Sequence, residues 1–130
     1  MRTLGIVCAV LAGCTGPTVD IVPAADATTI SQIDRGVLFV DARWSVPSLR
    51  ARGALEERIE DLPIELVIAD IDRSPALASL PALADKLTGA GESIWVRNGT
   101  ICYVCTHADC LEDGLATVFP IDPLKSLGSC

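Results

Sequence analysis

The sequence predicts an α/β fold with a mixed sheet, and three observations carry that expectation. Two short apolar runs, residues 37–40 continued by Ala42, and residues 64–71, each lead into a stretch with helix-start signals, so both read as buried strands. Strands joined through a helix run parallel. Asn98-Gly99, set between the strand-like residues 93–97 and 100–106, is a two-residue hairpin signal, so the last pair of strands runs antiparallel. With 130 residues, half of them hydrophobic, the chain suits one domain with a real core.

The elements follow in order. Asp26-Ala27-Thr28-Thr29 offers an N-cap, and Ile30 and Ile33 face inward from a short helix ending near Gly36. After the strand at 37–42 comes a helix over 48–62. Leu49, Leu55, Ile59 and Leu62 fall near one face, while Glu56, Glu57, Arg58, Glu60 and Asp61 point elsewhere as a solvated face. Gly53 interrupts this helix and Pro63 closes it. Beyond the second strand, Ser74-Pro75 opens a further short helix, with Leu77, Leu80, Leu83 and Leu87 spaced for one face and Gly89 and Gly91 ending it. The hairpin precedes a last short helix around 111–119 and a proline-containing tail that runs to Cys130.

The formal charge of −7 and the lack of clustered Lys and Arg argue against nucleic acid as a partner. At the other end of the argument stands the N-terminus. Arg2 precedes a continuous apolar or small run over residues 4–12, too short to span a bilayer. Leu11-Ala12-Gly13-Cys14 resembles the lipobox of bacterial lipoprotein signal peptides. That resemblance implies a signal peptide at 1–13 and lipid attachment at Cys14; Gly16, Pro17, Pro23 and several small residues then read as a tether over 14–26 with a short strand at 19–22, before a domain at 27–130. The lipobox resemblance places the protein on the bacterial cell envelope, with the membrane reached through the lipid. The competing reading is an N-terminal buried strand.

Ala42-Arg43-Trp44-Ser45-Val46-Pro47-Ser48 resembles the thioredoxin active-site signature Ala-x-Trp-Cys-x-Pro-Cys, with both cysteines replaced by serine. Further pieces occur in the family's order: Ala54-Leu55-Glu56-Glu57, Ala69-Asp70-Ile71-Asp72 before Ser74-Pro75, and Val96-Arg97-Asn98-Gly99. The resemblance implies a thioredoxin-like fold over about 26–106. It also implies that the chemistry is altered. Thiol–disulfide exchange needs a thiolate and a resolving thiol, and Ser45 and Ser48 supply neither. The family's buried Asp corresponds to Phe39, and its cis-proline to Gly91. Ser45 and Ser48 read as helix caps rather than hydrolytic nucleophiles, since the only histidine is His107.

Cys102-Tyr103-Val104-Cys105-Thr106-His107-Ala108-Asp109-Cys110 is the second informative stretch. Structural disulfides among Cys102, Cys105, Cys110 and Cys130 lead. In an extended strand Cys102 and Cys105 point to opposite faces, so either one pairs with Cys110 or Cys130. Zinc held by Cys102, Cys105, His107 and Cys110, and a relocated redox pair of Cys102 with Cys105, remain open. Asp70 and Asp72 are too few to define a cation site. No cofactor or metal is expected. The leading functional expectation is a domain that binds an envelope protein or peptide through Trp44, Ser45, Pro47 and Gly91, without catalysis. The alternative is a thiol–disulfide oxidoreductase using the Cys102/Cys105/Cys110 cluster.

Overall fold

A computed structural model describes residues 16–120. Cys14, the signal-peptide residues and Cys130 lie outside them. Strands β1 (Thr18–Val22), β2 (Arg35–Asp41), β3 (Glu65–Asp70), β4 (Glu92–Arg97) and β5 (Thr100–Cys105) form one sheet in the order β1-β3-β2-β4-β5. β1, β3 and β2 are parallel, and β4 and β5 are antiparallel to their neighbours. Helices α1 (Ala27–Ser31), α2 (Val46–Ile59) and α3 (Leu111–Val118) flank it. Among the described residues no helix is long and apolar enough to cross a membrane.

Strand alternation splits the core into two layers. Val37, Phe39, Leu66, Ile68 and Trp95 face α2 and α3, where Ala51, Leu55, Ile59, Leu115 and Val118 meet them. Leu38, Val40, Val67, Ala69, Ile94 and Val96 face the other way, onto Ile30, Ile33, Leu77 and Leu83. β2 is central and covered on both faces, which is why its sequence is continuously apolar. Asn98 and Gly99 both adopt positive φ, as a tight hairpin turn requires.

Two expectations change. The second helix starts at Val46 rather than 48, and its buried side is Ser48, Ala51, Leu55 and Ile59. Leu49, one residue past Ser48, is 70% exposed instead. No α-helix forms between Ser74 and Gly89. Residues Ile71–Arg73 and Pro75–Ser79 are 3₁₀ turns, and the N–H groups of Leu77, Leu80, Leu83 and Lys86 bond to carbonyls three residues back. Pro81 explains the failure: it disfavours helical backbone at Leu80, which is extended with ψ 131°, so no helical run continues past Ser79. The short strand expected at 19–22 within the tether stretch forms: Thr18–Val22 is the edge strand β1, in parallel register with β3 from Thr18↔Glu65 to Val22↔Ala69.

Candidate functional site

The carboxyl end of β2 turns through Ala42–Ser45 directly into α2, and every signature residue is fixed by that turn. Ser45 is the N-cap: its hydroxyl accepts the Ser48 N–H at 3.3 Å, and Pro47 occupies the first turn, where a missing N–H costs nothing. Ser48 is wholly buried. Its hydroxyl accepts the Ala42 N–H at 2.9 Å and donates to the Asp41 carboxylate at 3.1 Å. Arg52 meets the other oxygen of Asp41 at 3.4 Å and reaches Glu56, one turn on, at 3.5 Å. The Ser48 oxygen therefore spans strand and helix start. It faces no histidine and no solvent.

Trp44 is 64% exposed yet held in place. Its indole N–H donates to Asp72 at 2.9 Å, and its ring lies against Gly89, where any Cβ would sit 2.5 Å from the ring. Asp70 caps the turn that presents Asp72 by accepting the Asp72 N–H at 2.9 Å. The two carboxylates once considered for a cation are thus both used in shaping this corner. Gly91 packs against α2 from the other side. At φ +90° it takes a conformation that side chains avoid, and a Cβ there would stand 2.7 Å from Ala51 Cβ and 2.9 Å from Ser48 Cα. The peptide bonds of this segment are trans. Phe39 lies beneath, 1% exposed, with its ring near Gly91.

Sequence reasoning missed Glu92. It is fully buried, and its carboxylate accepts from the Thr88 hydroxyl at 2.9 Å, the Ala90 N–H at 3.1 Å and the Gly89 N–H at 3.4 Å. It holds the loop carrying Gly89 and Gly91 against Trp44 and α2. The signal was present: an acidic residue directly after Thr-Gly-Ala-Gly can collect the N–H groups of its own turn.

Trp44, Ser45, Pro47 and Gly91 are brought together around the start of α2. Trp44, Val46 and Leu49 are 64%, 59% and 70% exposed, so loop and first turn present apolar side chains to solvent.

The cysteine stretch forms a separate corner, where β5 turns into α3. Cys105 and Cys110 are joined by a disulfide with Cα atoms 5.7 Å apart, and Cys102 is also disulfide-bonded. Cys102 is the extra residue of a bulge, because Tyr103 pairs with Trp95 and Ile101 with Val96. Cys105 and Cys110 are only 1% and 6% exposed, and both sulfurs touch the His107 carbonyl oxygen, at 2.7 and 3.0 Å. With their sulfurs bonded to each other they offer no thiolate pair for zinc, and no metal-binding group occurs among the described residues. His107 is exposed in the loop. Nearby, Arg58 of α2 forms a two-pronged ion pair with Glu112 of α3, one bond being 2.9 Å. The hydrogen bond, then the charge, of Arg58 holds the Glu112 carboxyl below the usual range, and Glu112 raises Arg58 in return.

No protein-family model matches the sequence, and no curated protein matches it significantly. Solved structures do match the fold. Thioredoxin from Trypanosoma brucei brucei superposes with a TM-score of 0.63 at 17% identity, covering 84% of this chain and 97% of that one. The reduced Schistosoma mansoni thioredoxin pre-protein gives 0.61 at 17% identity, covering 77% and 97%. Fasciola hepatica thioredoxin gives 0.54 at 14% identity, covering 76% and 98%. With its strand order, its crossing helix α2 and these superpositions together, the chain has the thioredoxin-like α/β fold.

Proposed function

We propose that this protein is a membrane-anchored, thioredoxin-like binding domain that holds a protein or peptide at the start of α2 without thiol–disulfide exchange there. One observation carries the reading. Ser48 is buried with its hydroxyl bonded to Ala42 and Asp41, so the position that would hold a resolving thiol is a structural strut. A hydroxyl forms no disulfide, and Ser45 serves as a helix cap. What the corner still offers is a partly rigid, exposed aromatic beside Val46 and Leu49, the kind of side chain enriched in binding hot spots. The lipobox-like Leu11-Ala12-Gly13-Cys14 supports a lipid at Cys14 and a place on the bacterial cell envelope, with an envelope protein or peptide as partner.

A second reading, a thiol–disulfide oxidoreductase, draws on the Cys105–Cys110 disulfide, with Cys110 immediately preceding α3. Burial of both sulfurs weighs against it, because exchange requires in-line access by an attacking thiolate.

The test uses the full chain, tagged at its C-terminus, in detergent-solubilised cell membranes. The expected result is a discrete partner that co-purifies with the parent and is lost with Trp44→Ala, and no disulfide reductase activity above a thiol-only blank. Capture unchanged by Trp44→Ala sinks the surface, recovery in the soluble fraction sinks the anchor, and turnover above the blank moves the chemistry to the cysteine corner.

A further inference from the structure

The sequence shows no run of basic residues, yet the fold makes a cluster of them. Three parallel strands, β1, β3 and β2, end side by side, and a cavity of about 300 Å³ opens at their carboxyl ends on the α2 face. Arg43 from the turn after β2, Arg52 from α2 and Arg73 from the turn after β3 all line it. The carboxyl ends of parallel strands are where α/β sheets place ligand sites.

The charges in the cavity are unequally committed. Asp41 is engaged by Ser48 and Arg52, and Asp70 accepts the Asp72 N–H. Arg43 and Arg73 make no hydrogen bond or ion pair with any described residue. Among the lining residues three guanidiniums stand against two carboxylates, a surplus of one positive charge at the cavity wall even though Arg52 is shared with Glu56 outside it, in a chain whose formal charge is −7. That surplus suits a singly charged anion, whereas a dianion would also meet the repulsion of Asp41 and Asp70. The planar guanidinium fork matches a carboxylate. The remaining wall is apolar, built by Ile21, Pro23 and Ile68, and Ile21 is 68% exposed on the edge strand.

We propose that this cavity binds a carboxylate carried on a short aliphatic body, held by Arg43 and Arg73 with its apolar part against Ile21 and Ile68. The free C-terminus of a peptide ending in an aliphatic residue has this chemistry, and so does a small branched fatty acid. Arg43 adjoins Trp44 in sequence, so a peptide on the Trp44 surface could place its terminus here. The cavity rests on the binding-domain reading only for that source of the carboxylate.

The test is a titration of the isotope-labelled full chain, reading the arginine side-chain N–H resonances. The probes are sodium 4-methylpentanoate, its neutral amide, inorganic phosphate, and the peptide Ala-Ala-Leu with a free or an amidated C-terminus. Saturating shifts at Arg43 and Arg73 are expected with the free acids, with binding about tenfold weaker for the amides and for the Arg43→Gln/Arg73→Gln variant. Both arginines are exposed, so a preserved thermal transition shows that the variant still folds. No saturating shift with either acid, equal binding of acid and amide, or tighter binding of phosphate overturns the proposal. Binding of 4-methylpentanoate without the free-acid peptide keeps the cavity and removes the peptide as its source. The Trp44 capture experiment reads a different residue, so the two proposals fail separately.

Discussion

Two strand-to-helix corners of this molecule solve the same problem by different means. At β2–α2 the turn is locked by hydroxyls: Ser45 caps the helix, and Ser48 ties Ala42 to Asp41. At β5–α3 it is locked by a covalent bond between Cys105 and Cys110, with no side-chain cap on the helix. The first corner is dense with backbone contacts, since Gly91 and the Glu92-held loop press directly on α2. The second spans four residues between its cysteines, closed by the disulfide and backed by α3, where a Cβ on Gly114 would sit 2.3 Å from the Trp95 ring. The difference teaches that hydroxyls and a glycine can close one strand-to-helix corner where a covalent bond closes the other, both helices packing closely on the same sheet.

The comparison can be broken first at Gly91. Gly91→Ala combines a positive φ with contacts under 3 Å to Ala51 and Ser48, and a loss of about 3 kcal/mol of stability is expected. Urea unfolding reads it, and an unchanged midpoint would mean that the corner is loose. Next comes the disulfide. A Cys105→Ser/Cys110→Ser variant frees the β5–α3 loop, with an expected loss of about 2 kcal/mol for so short a loop. A loss smaller than that of Gly91→Ala sharpens the contrast between the two corners, and a larger loss reverses it.

The smallest effect concerns the bridge that joins the helices behind these corners. Arg58 holds the Glu112 carboxyl below its ordinary value, so the pair contributes stability that is fully present above the unfolded-state range of a glutamate. It is lost as pH falls through the lowered folded-state value. Glu112→Gln is therefore expected to unfold slightly earlier than the parent near neutral pH and to match it in strong acid. The pair is exposed and screened, so the shift in midpoint is small. An equal gap at both pH values would assign the effect to packing rather than charge.

How much of this was legible depended on how local each cause is. β2, β3 and the hairpin announced themselves, because continuous burial writes Val, Leu and Ile into the strands, and a tight turn writes Asn-Gly. β1 was legible as a short strand at 19–22 between Pro17 and Pro23, but not its place at the sheet edge beside β3, which only the parallel pairing sets. The leucines after Ser74 misled because spacings of three and four residues overlap in a short stretch, and Pro81 ends any helical run at Ser79. Ser45 as a cap was readable, but Ser48's bond to Asp41 was not, being formed across a turn whose closure depends on the sheet. Arg43, Arg52 and Arg73 are scattered along the sequence and meet only because three parallel strands end at one level.

The two tryptophans of the chain occupy opposite environments. Trp95 is wholly enclosed, its indole N–H bonded to Ser93 and its ring against Gly114, whereas Trp44 stands largely in solvent beside Asp72. Their emission should separate accordingly, Trp95 blue and sheltered from quenchers, Trp44 red and open to them. The molecule thus carries two built-in optical reporters: an event at the start of α2 would alter the red component alone, and loss of the core would alter the blue.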